Sequence, residues 1–560
     1  MKRFMTCLFM AVLYLNALEC KKHDADPKPT KQQIQYSGLK CRKKVALLTD
    51  YGGKGDGKTL NTAAFKKAIA DLSTYGLNGG GAMLVVPPGK WLTGSFNLTS
   101  YFTLYIHHDA VLLASQDEKD YPLIDPLPSY GRGRDAPGQR FASLIFGTNL
   151  TDVVITGGNG TINGQGQPWW KKFKDNKLKN TRPYLVEIMY STKVVITNLT
   201  LIDAPTWNVH PVYSKKIIIE NLTISAPYDS PNTDGINPDS CSGIRIRNVY
   251  IMSGDDCIAV KSGWDEYGIT FGMPTQHLSI KGLTCISPYS AVIALGSEMS
   301  GGIRDVRAEQ IKAYNSESGV RIKTAPGRGA YVKNIYVRGM ELHTIKFVFL
   351  MSGNYKSHAD DNYDPNALPL IKNITFRDVY ADNVKIVGNL SGITGDPFTK
   401  LCFSNVTAEL AEAKNSLANG WPEYQVDKDK DKDKDKGKDK DKDKDKNKDK
   451  DKDKDKDKDK DKDKDKDKDK DKDKDKDKDK DKDKDKDKDK DKDKDKDKDK
   501  DKEKNKGKTG AWNCEDIKGV SSNVSPKACD LLPEKQMDCD FPSDTLPIDT
   551  VELKTCSASY

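Results

Sequence analysis

The sequence lacks long apolar segments, closely paired cysteines and long amphipathic helices. Only 36% of its 560 residues are hydrophobic, and the apolar run from Phe4 to Leu18 is too short to span a bilayer comfortably. The 11 cysteines mostly stand apart, without the paired spacing of a zinc site. We therefore expect no further membrane segment, no metal and no cofactor.

The first 20 residues have the composition of a secretory signal peptide. Lys2 and Arg3 form a basic start, and polar sequence resumes at Glu19 after the apolar run. This predicts a secreted protein of the extracellular region or cell wall, with no membrane association once the signal is removed. The glycosylation sequons Asn-x-Ser/Thr agree with secretion and stand at Asn97, Asn149, Asn198, Asn221, Asn373, Asn389, Asn405 and Asn523. Disulfides are expected, above all within the C-terminal group Cys514, Cys529, Cys539 and Cys556.

Residues 427–508 alternate Asp and Lys almost without interruption. This tract has no apolar side chain whose burial would offset the entropy of ordering, so it predicts a disordered, solvated spacer. It separates a large domain, residues 40–425, from a cysteine-containing segment, residues 509–560. The formal charge of +8 belongs mainly to these other parts, which suits a polyanionic partner or simple solubility.

The large domain repeats itself loosely between Leu144 and Val406. Short β-branched runs bounded by Gly, Asn, Asp or Ser recur every 20–30 residues or so, a period typical of stacked coils. A two-layer sandwich would show turns every 8–12 residues or so, without the recurrent Asn-x-Thr/Val register. We therefore predict an all-β, right-handed parallel β-helix, with residues Thr62–Leu72 as a short N-terminal capping helix. The runs include DVVITG, KVVITNLTLI, KIIIENLTIS, GIRIRNVYIMS, HLSIKGLTCIS and IKNITFRDVY.

Acidic residues in the middle coils have the spacing of a catalytic group. Asp234 precedes Asp255 and Asp256 by 21 and 22 positions, which at one coil per repeat predicts proximity on neighbouring coils. Close carboxyls keep one proton in place, as the hydrolysis of a glycosidic bond requires. Arg321 and Lys323 share one face of a predicted strand and are suited to bind a uronic acid carboxylate. Taken singly, these motifs are also ordinary turns and a solvated strand.

Together the motifs resemble the polygalacturonases of glycoside hydrolase family 28, particularly the plant-type members. The matching stretches are DYGGKGDGKTLNTAAFKKAI, NTDG, GDDC and RIK in family order, with AWNCEDIKGVSS near the end. The resemblance covers residues 49–382 and implies an inverting, pectin-degrading hydrolase that acts as a monomer, without nucleic acid.

The resemblance also implies roles for individual residues. Asp255 matches the general acid, and Asp234 with Asp256 matches the carboxylates that activate water. Arg321 and Lys323 match residues that hold galacturonate, and Asn232 of the same NTDG motif is expected to contact substrate. Acid and base should stand roughly 6.5–9.5 Å apart, and a bend or bulge must redirect one of the adjacent aspartates.

The sequence departs from the family where a Gly-His-Gly motif is usual. Ser297 stands at the histidine position, and Glu298 after it is either part of the site or a coil turn. This variant resembles exo-acting members. His210 either contacts substrate or packs beside Trp207.

Several alternatives stay open at this point. Cys257 is expected to pair with Cys285 or Cys241. The substrate is expected to be the galacturonan of pectin, with another pectic backbone, rhamnogalacturonan or xylogalacturonan, as the alternative. A non-catalytic pectin-binding β-helix and a calcium-dependent lyase are the competing interpretations.

Overall fold

A computed structural model describes residues 36, 38–355, 357–412, 506–508 and 510–556. The predicted signal peptide and nearly all of the Asp-Lys tract lie outside these residues. No helix among the described residues is long and apolar enough to cross a membrane.

Strands dominate the structure, and most of them pair in parallel. The strands are β1 (Lys44–Leu47), β2 (Ala82–Val86), β3 (Gly89–Thr93), β4 (Phe96–Asn97), β5 (Phe102–Ile106), β6 (Ala110–Ala114), β7 (Leu123–Ile124), β8 (Arg140–Phe141), β9 (Ile145–Thr148), β10 (Thr151–Asn163), β11 (Val186–Met189), β12 (Thr192–Ile202), β13 (Val209–Val212), β14 (Lys215–Ser225), β15 (Ser242–Met252), β16 (Ile258–Val260), β17 (Thr275–Ile286), β18 (Ala291–Gly296), β19 (Ile303–Lys323), β20 (Tyr331–Ser352), β21 (Leu370–Ser391), β22 (Phe398–Leu410), β23 (Lys506–Lys508), β24 (Trp512–Glu515) and β25 (Ile517–Ser525).

Helices are short and lie outside the stacked strands. The α-helices are α1 (Thr62–Leu72), α2 (Gln167–Lys174) and α3 (Asp265–Phe271), and the 3₁₀ helices are Leu48–Tyr51, Ser73–Tyr75, Leu77–Gly79, Glu118–Asp120 and Pro547–Thr550.

Equivalent apolar residues of successive coils stack inside the solenoid. Each residue of one such column is at most 1% exposed, and burying each side chain contributes about 1.5–3 kcal/mol. This stacking explains the predicted repeat and confirms the parallel β-helix. The column runs through Val194, Ile217, Ile244, Leu278, Val306, Ile335, Ile374 and Leu401.

The recurrent Asn-x-Thr motif marks a corner of the coils. Asn198 and Asn221 both have positive φ, 55° and 52°, a conformation that asparagine tolerates because its short side chain bonds locally. The Asn221 amide donates to Asn198 Oδ1 at 3.1 Å, and Asn248 continues the ladder at 3.4 Å. A second ladder joins Asn523 to Asn405 at 3.1 Å. The asparagine ladders therefore satisfy side-chain amides on the outside of successive turns.

Helix α1 covers the first coils, as predicted. Its face of Ala64, Phe65, Ala68 and Ile69 is buried, and Phe65 stacks on Phe96 with ring centroids 4.3 Å apart. The interior of the N-terminal coils is thereby shielded from water.

The segment after the Asp-Lys tract completes the same solenoid. β24 pairs with β21 and β25 pairs with β22, both in parallel. The last residues of the tract, β23, form a strand antiparallel to β24. These three residues differ from the predicted disorder because backbone pairing with β24 orders them without apolar side chains.

The residues that follow β25 run back along the outside of the coils toward the N-terminus. Ile548 and Val551 belong to an apolar cluster with outward-facing Val154, and Arg245 donates to the carbonyl oxygens of both, at 2.9 and 2.6 Å. The disulfides Cys402–Cys539 and Cys41–Cys556 attach this strap, residues 526–556, near its middle and at its end. All four C-terminal cysteines are disulfide-bonded, as predicted. Cys514 pairs with Cys529 inside the group, whereas the strap carries the other two to distant coils.

Candidate active site

The three aspartates lie where the chain enters strands of neighbouring coils. Ile236 pairs with Ile258, and Gly235 N donates to Asp256 O at 3.0 Å, so Asp234 lies beside Asp256. One carboxylate oxygen each of Asp234, Asp255 and Asp256 lies within 4.8 Å of the others. The predicted interval of one coil thus brings the three side chains together.

The adjacent aspartates sit on an irregular segment rather than in a strand. Residues 253–257 separate β15 from β16, so the alternation of a strand does not force Asp255 and Asp256 to opposite faces. Ser290 Oγ donates to Asp255 Oδ1 at 2.9 Å and lies 2.5 Å from Asp256 Oδ1. A bend was predicted here, and the serine holds both carboxylates on the same side.

Asp256 is buried and ionised. Lys323 Nζ donates to Asp256 Oδ2 at 2.6 Å, and Ala291 N donates to Oδ1 at 3.1 Å. Burial opposes the charged form, but Lys323 and then Arg321 hold the pKa of Asp256 below its ordinary value. Lys323 therefore holds the Asp256 carboxylate in the site. Its predicted contact with substrate stays a prediction.

Asp234 is the aspartate that retains a proton. Burial, reinforced by the negative charge of Asp255, raises the pKa of Asp234 to about 8, although Lys261 acts in the opposite direction. Near neutral pH the site thus holds the ionised Asp256 beside a protonated Asp234.

Asp255 is the most accessible of the three, being only half-buried. Its Oδ2 accepts from Asn232 Nδ2 at 3.2 Å, and Asn232 Oδ1 accepts from Arg182 Nη2 at 2.8 Å. Arg182 is in turn bound by Asp135, at 2.9 Å. The structure therefore places Asn232, predicted to bind substrate, as a residue that orients Asp255.

The predicted basic pair lies on the outer face of β19. Arg321 is in register with Ala294 and Ala259 of the two preceding coils, whose small side chains leave a shallow floor. Arg321 Nη1 contacts Glu317 at 3.2 Å, and its guanidinium lies 5.8 Å from the ring centre of Tyr355. Arg321 remains half-buried at the floor, whereas Lys323 is largely occupied by Asp256.

Glu298 belongs to the site rather than to a simple turn. It is 1% exposed, its Oε2 accepts from Lys261 Nζ at 3.0 Å, and its Oε1 lies 3.0 Å from Arg134 Nε. Burial alone would favour protonation, but Lys261 and Arg134 hold the pKa of Glu298 far below its usual range. The buried Ser297 beside it replaces the family histidine without supplying a titratable group.

His210 does not reach the cleft, so its predicted contact with substrate is wrong. It is fully buried between Glu187 Oε1 at 2.9 Å and Asp239 Oδ2 at 3.4 Å, with the Trp207 ring 4.9 Å away. Burial lowers its pKa, but the two carboxylates outweigh burial and raise the pKa overall. The structure shows the alternative, packing beside Trp207. Strand β13 places the His210 side chain among buried polar groups, Glu187 and Asp239.

One disulfide joins the segment that carries Asp255 and Asp256 to the next coil. Cys257 pairs with Cys285 on the next coil, whereas Cys241 is buried and free. The expectation for Cys257 is thereby resolved in favour of Cys285.

Sequence reasoning missed Arg134 and Asp135, which stand in a glycine-rich loop without a strand pattern. Lys261 follows the GDDC motif, but no local pattern indicates its contact with Glu298. The one available signal was the density of arginines in GRGRDAPGQR, residues 131–140. Their role depends on contacts with residues far along the chain, which no local spacing encodes.

An end wall stands beside the cleft and consists of residues 125–139, helix α3 and residues 357–363. Tyr130 OH donates to Asp239 Oδ2 at 2.6 Å, and Arg132 Nη1 donates to Ala359 O at 2.9 Å. Trp264 Nε1 donates to Ser357 O at 3.2 Å. These bonds tie the three segments together over the coil of β13, which adjoins the coil carrying Asp234.

Among the described residues, two groups have side chains close enough for a cation. One is the aspartate triad, and the other is His107, His108 and Asp109 on an exposed turn. In the triad, Lys323 already supplies the positive charge that a metal would bring, so the residues fit acid–base chemistry better than a metal site.

Comparison with known proteins agrees with this geometry. The family model described as glycosyl hydrolases family 28 matches residues 134–420. A probable polygalacturonase of Vitis vinifera is 52% identical over 94% of this chain and 89% of its own length. A polygalacturonase of Malus domestica is 27% identical over 65% of this chain and 72% of its own length.

Solved structures show the same fold. An exopolygalacturonase from Thermotoga maritima is 27% identical and superposes with a TM-score of 0.59 over 68% of this chain and 89% of its own. A family 28 exopolygalacturonase from Yersinia enterocolitica, 20% identical, gives a TM-score of 0.54 over 66% of this chain and 73% of its own. The chain therefore belongs to glycosyl hydrolases family 28 and is a glycoside hydrolase.

Proposed function

We propose that this protein is a secreted polygalacturonase that hydrolyses α-1,4-galacturonosidic bonds of de-esterified pectin. The observation that carries the proposal is the triad of Asp234, Asp255 and Asp256 beside the cations Lys323 and Arg321. The triad supplies both an acid and a base, and the cations suit an anionic sugar.

Asp255 is the general acid in this proposal. It is the most accessible carboxyl of the triad, which suits contact with the glycosidic oxygen. It donates a proton to that oxygen as the bond to the sugar carbon breaks. The orientation of Asp255 by Asn232 and Ser290 supports this role.

Asp256 is the carboxylate that activates water. Lys323 keeps it ionised, and a second lone pair on Oδ2 can accept the proton of an attacking water. We expect inversion of the anomeric centre, because Asp256 is occupied by three donors and Asp234 is protonated, which leaves neither suited to attack carbon.

The spacing of the triad makes stereochemistry a sharp test. The nearest oxygens lie within 4.8 Å, which is closer than the separation of roughly 6.5–9.5 Å expected for an inverting pair. Proton NMR of the first product formed decides between the outcomes. Initial release of the β-anomer from the α-linked substrate supports inversion, and initial release of the α-anomer contradicts the assignment of Asp256.

We propose that cleavage proceeds from chain ends. The end wall ties the loop of Arg132 to Ala359 next to the coil of the triad, a position from which it would limit the path of a long chain. The similar structure from Thermotoga maritima is that of an exopolygalacturonase, which agrees with this mode.

The direct experiment is hydrolysis of polygalacturonate by the purified protein. Reducing sugar should appear as mono- or short oligogalacturonate while the viscosity of the polymer falls slowly. Asp255→Asn should lose at least about 10³-fold in rate, whereas Lys385→Gln, at an exposed position of β21, should remain fully active. A folded wild-type protein without activity on any pectic backbone would contradict the proposal.

The same assay separates the alternatives. Release of products only from rhamnogalacturonan or xylogalacturonan would change the substrate but retain the chemistry. Binding without turnover, unchanged in Asp255→Asn, would favour a pectin-binding β-helix. An unsaturated product and loss of activity with a chelator would identify a lyase.

Secretion and a monomeric state complete the proposal. The disulfides, including Cys41–Cys556 and Cys402–Cys539, suit an oxidising compartment. Immunodetection in the wall fraction of the source tissue, with removal of residues 1–20, tests secretion. Light scattering of the purified protein tests the monomer.

A further inference from the structure

Arg134 presents a partly exposed charged group beside the buried Glu298. Its side chain is 31% exposed, and its guanidinium carbon lies 5.1 Å from the ring centre of Trp264. Nε is 3.0 Å from Glu298 Oε1, but the N–H does not point along a hydrogen bond to any acceptor. Within the described residues, no hydrogen bond ties the two terminal nitrogens of Arg134.

The loop of Arg134 is held on both sides. Asp135 makes a bidentate contact with Arg182, at 2.9 and 3.2 Å, and Asp135 N donates to Thr181 Oγ1 at 2.9 Å. On the other side Arg132 Nη1 donates to Ala359 O. Arg134 is thus fixed in place before any ligand arrives, which lowers the entropic cost of binding.

The surroundings of Arg134 connect it to the triad. Glu298 is shared between Arg134 and Lys261, and Lys261 lies in the field of Asp234. Glu298 also lies in the field of Lys323, which holds Asp256. Arg134 is therefore joined through Glu298 to the two lysines that adjoin the triad.

We propose that the terminal nitrogens of Arg134 bind the carboxylate of a galacturonate unit at the closed end of the cleft, and that Glu298 is the positioning residue that holds Arg134 there. The inference rests on the proposed function and deepens it. It adds a second carboxylate-binding position to that of Arg321 and Lys323.

This position selects for an unesterified unit. A carboxylate accepts two parallel N–H bonds from a guanidinium, whereas a methyl ester offers one weaker acceptor and no charge. A lysine at the same place keeps the charge but loses the planar fork. Arg134 is therefore a specificity-determining residue for the acidic end of the substrate.

The test measures binding in a protein that cannot turn over its ligand. Tri-galacturonate is titrated calorimetrically into full-length Asp255→Asn and into the same protein carrying Arg134→Gln. We expect Arg134→Gln to raise Kd about 10- to 100-fold for tri-galacturonate, consistent with loss of a charge-assisted pair. The carboxyl-reduced, neutral trisaccharide should lose less than about threefold, since it has no carboxylate for Arg134.

Two controls keep the outcome clear. Lys171→Gln removes a positive charge from a side chain that is 75% exposed on α2 and should leave Kd within twofold or so. Arg134→Lys should recover part of the affinity. An unchanged Kd in Arg134→Gln, or an equal loss for both ligands, would overturn the role of Arg134 while the proposed function stands. No binding of tri-galacturonate by folded Asp255→Asn would overturn both together.

Glu298 is tested by a double-mutant cycle. Glu298→Gln should raise Kd for tri-galacturonate in the Asp255→Asn background and have little further effect when Arg134→Gln is present. A merely structural role would give the same increment in both backgrounds.

Discussion

Replacement of Lys323 by methionine tests the electrostatics of the triad most directly. Lys323 Nζ lies 2.6 Å from Asp256 Oδ2, with the two side chains only 9% and 1% exposed. Removing one partner of such a pair typically costs about 3–5 kcal/mol, because a buried charge is left uncompensated. Asp256 keeps the donors Ser290 and Ala291, so we expect a loss near the lower limit, about 3 kcal/mol at pH 7.

The loss should depend on pH in a defined direction. In the wild type the pKa of Asp256 is depressed, so the pair stabilises the fold above the unfolded value of about 3.9 and loses this contribution as pH falls through the folded value. In Lys323→Met, the largest influence opposing burial is lost, so the pKa of Asp256 rises relative to the wild type, and the penalty grows as pH rises above the unfolded value. The difference between the two proteins should therefore be largest near neutral pH and smallest near pH 4.

Guanidinium denaturation at about pH 4.5 and pH 7, with the disulfides intact, measures this difference. Turnover at neutral pH should fall by about 10²–10⁴, because a protonated Asp256 cannot activate water. Lys385→Met, at an exposed position of β21, is the matched control and should change neither quantity. An equal loss of stability at both pH values would refute the argument, as would normal turnover.

Three further expectations concern other parts of the molecule. The rate should decline as pH rises through about 8, where Asp234 loses its proton and adds a second buried negative charge beside Asp256, and a profile flat across this range would contradict the assignment. His210→Gln should destabilise the fold with little change in KM, because His210 touches Glu187 rather than the cleft. The pKa of His210 is raised, so its contribution should be full below about 6.5 and lost as pH rises through the folded value; a pH-independent loss would argue against it. Cys556→Ser should lower the denaturation midpoint by loosening the strap from Cys41, with activity at room temperature unchanged, and limited proteolysis should then cut the strap first.

The strap connects coils that are not neighbours, which stacking alone does not do. Coils of a β-helix contact only their neighbours, so an end can fray without the rest. Ile548 and Arg245 join the C-terminal segment to the middle coils, and Cys41–Cys556 joins it to the first ones. Opening of the N-terminal coils thus requires release of residues that are distant in sequence.

The aspartate triad and the coil fold could be predicted from the sequence for one physical reason. Parallel stacking repeats the same lateral position once per coil, so the interval between Asp234 and Asp255 directly implies proximity. The same regularity predicted the face shared by Arg321 and Lys323. One departure from regular spacing arises where helix α2 is inserted. Val153 and Val194 are 41 residues apart, whereas Val194 and Ile217 are 23 apart.

Tertiary structure alone decided which partners these residues meet. Sequence indicated Asn232 as a substrate contact and left His210 open, whereas only the folded chain shows that Asn232 donates to Asp255 and that His210 is buried beside Glu187. Arg134 meets Glu298, and Cys41 is bonded to Cys556, 515 residues away in sequence. The sequence thus determined the repeating strands and the acids placed on them, because their period is local. Contacts between loops and across coils have no period, so only the packed structure established them.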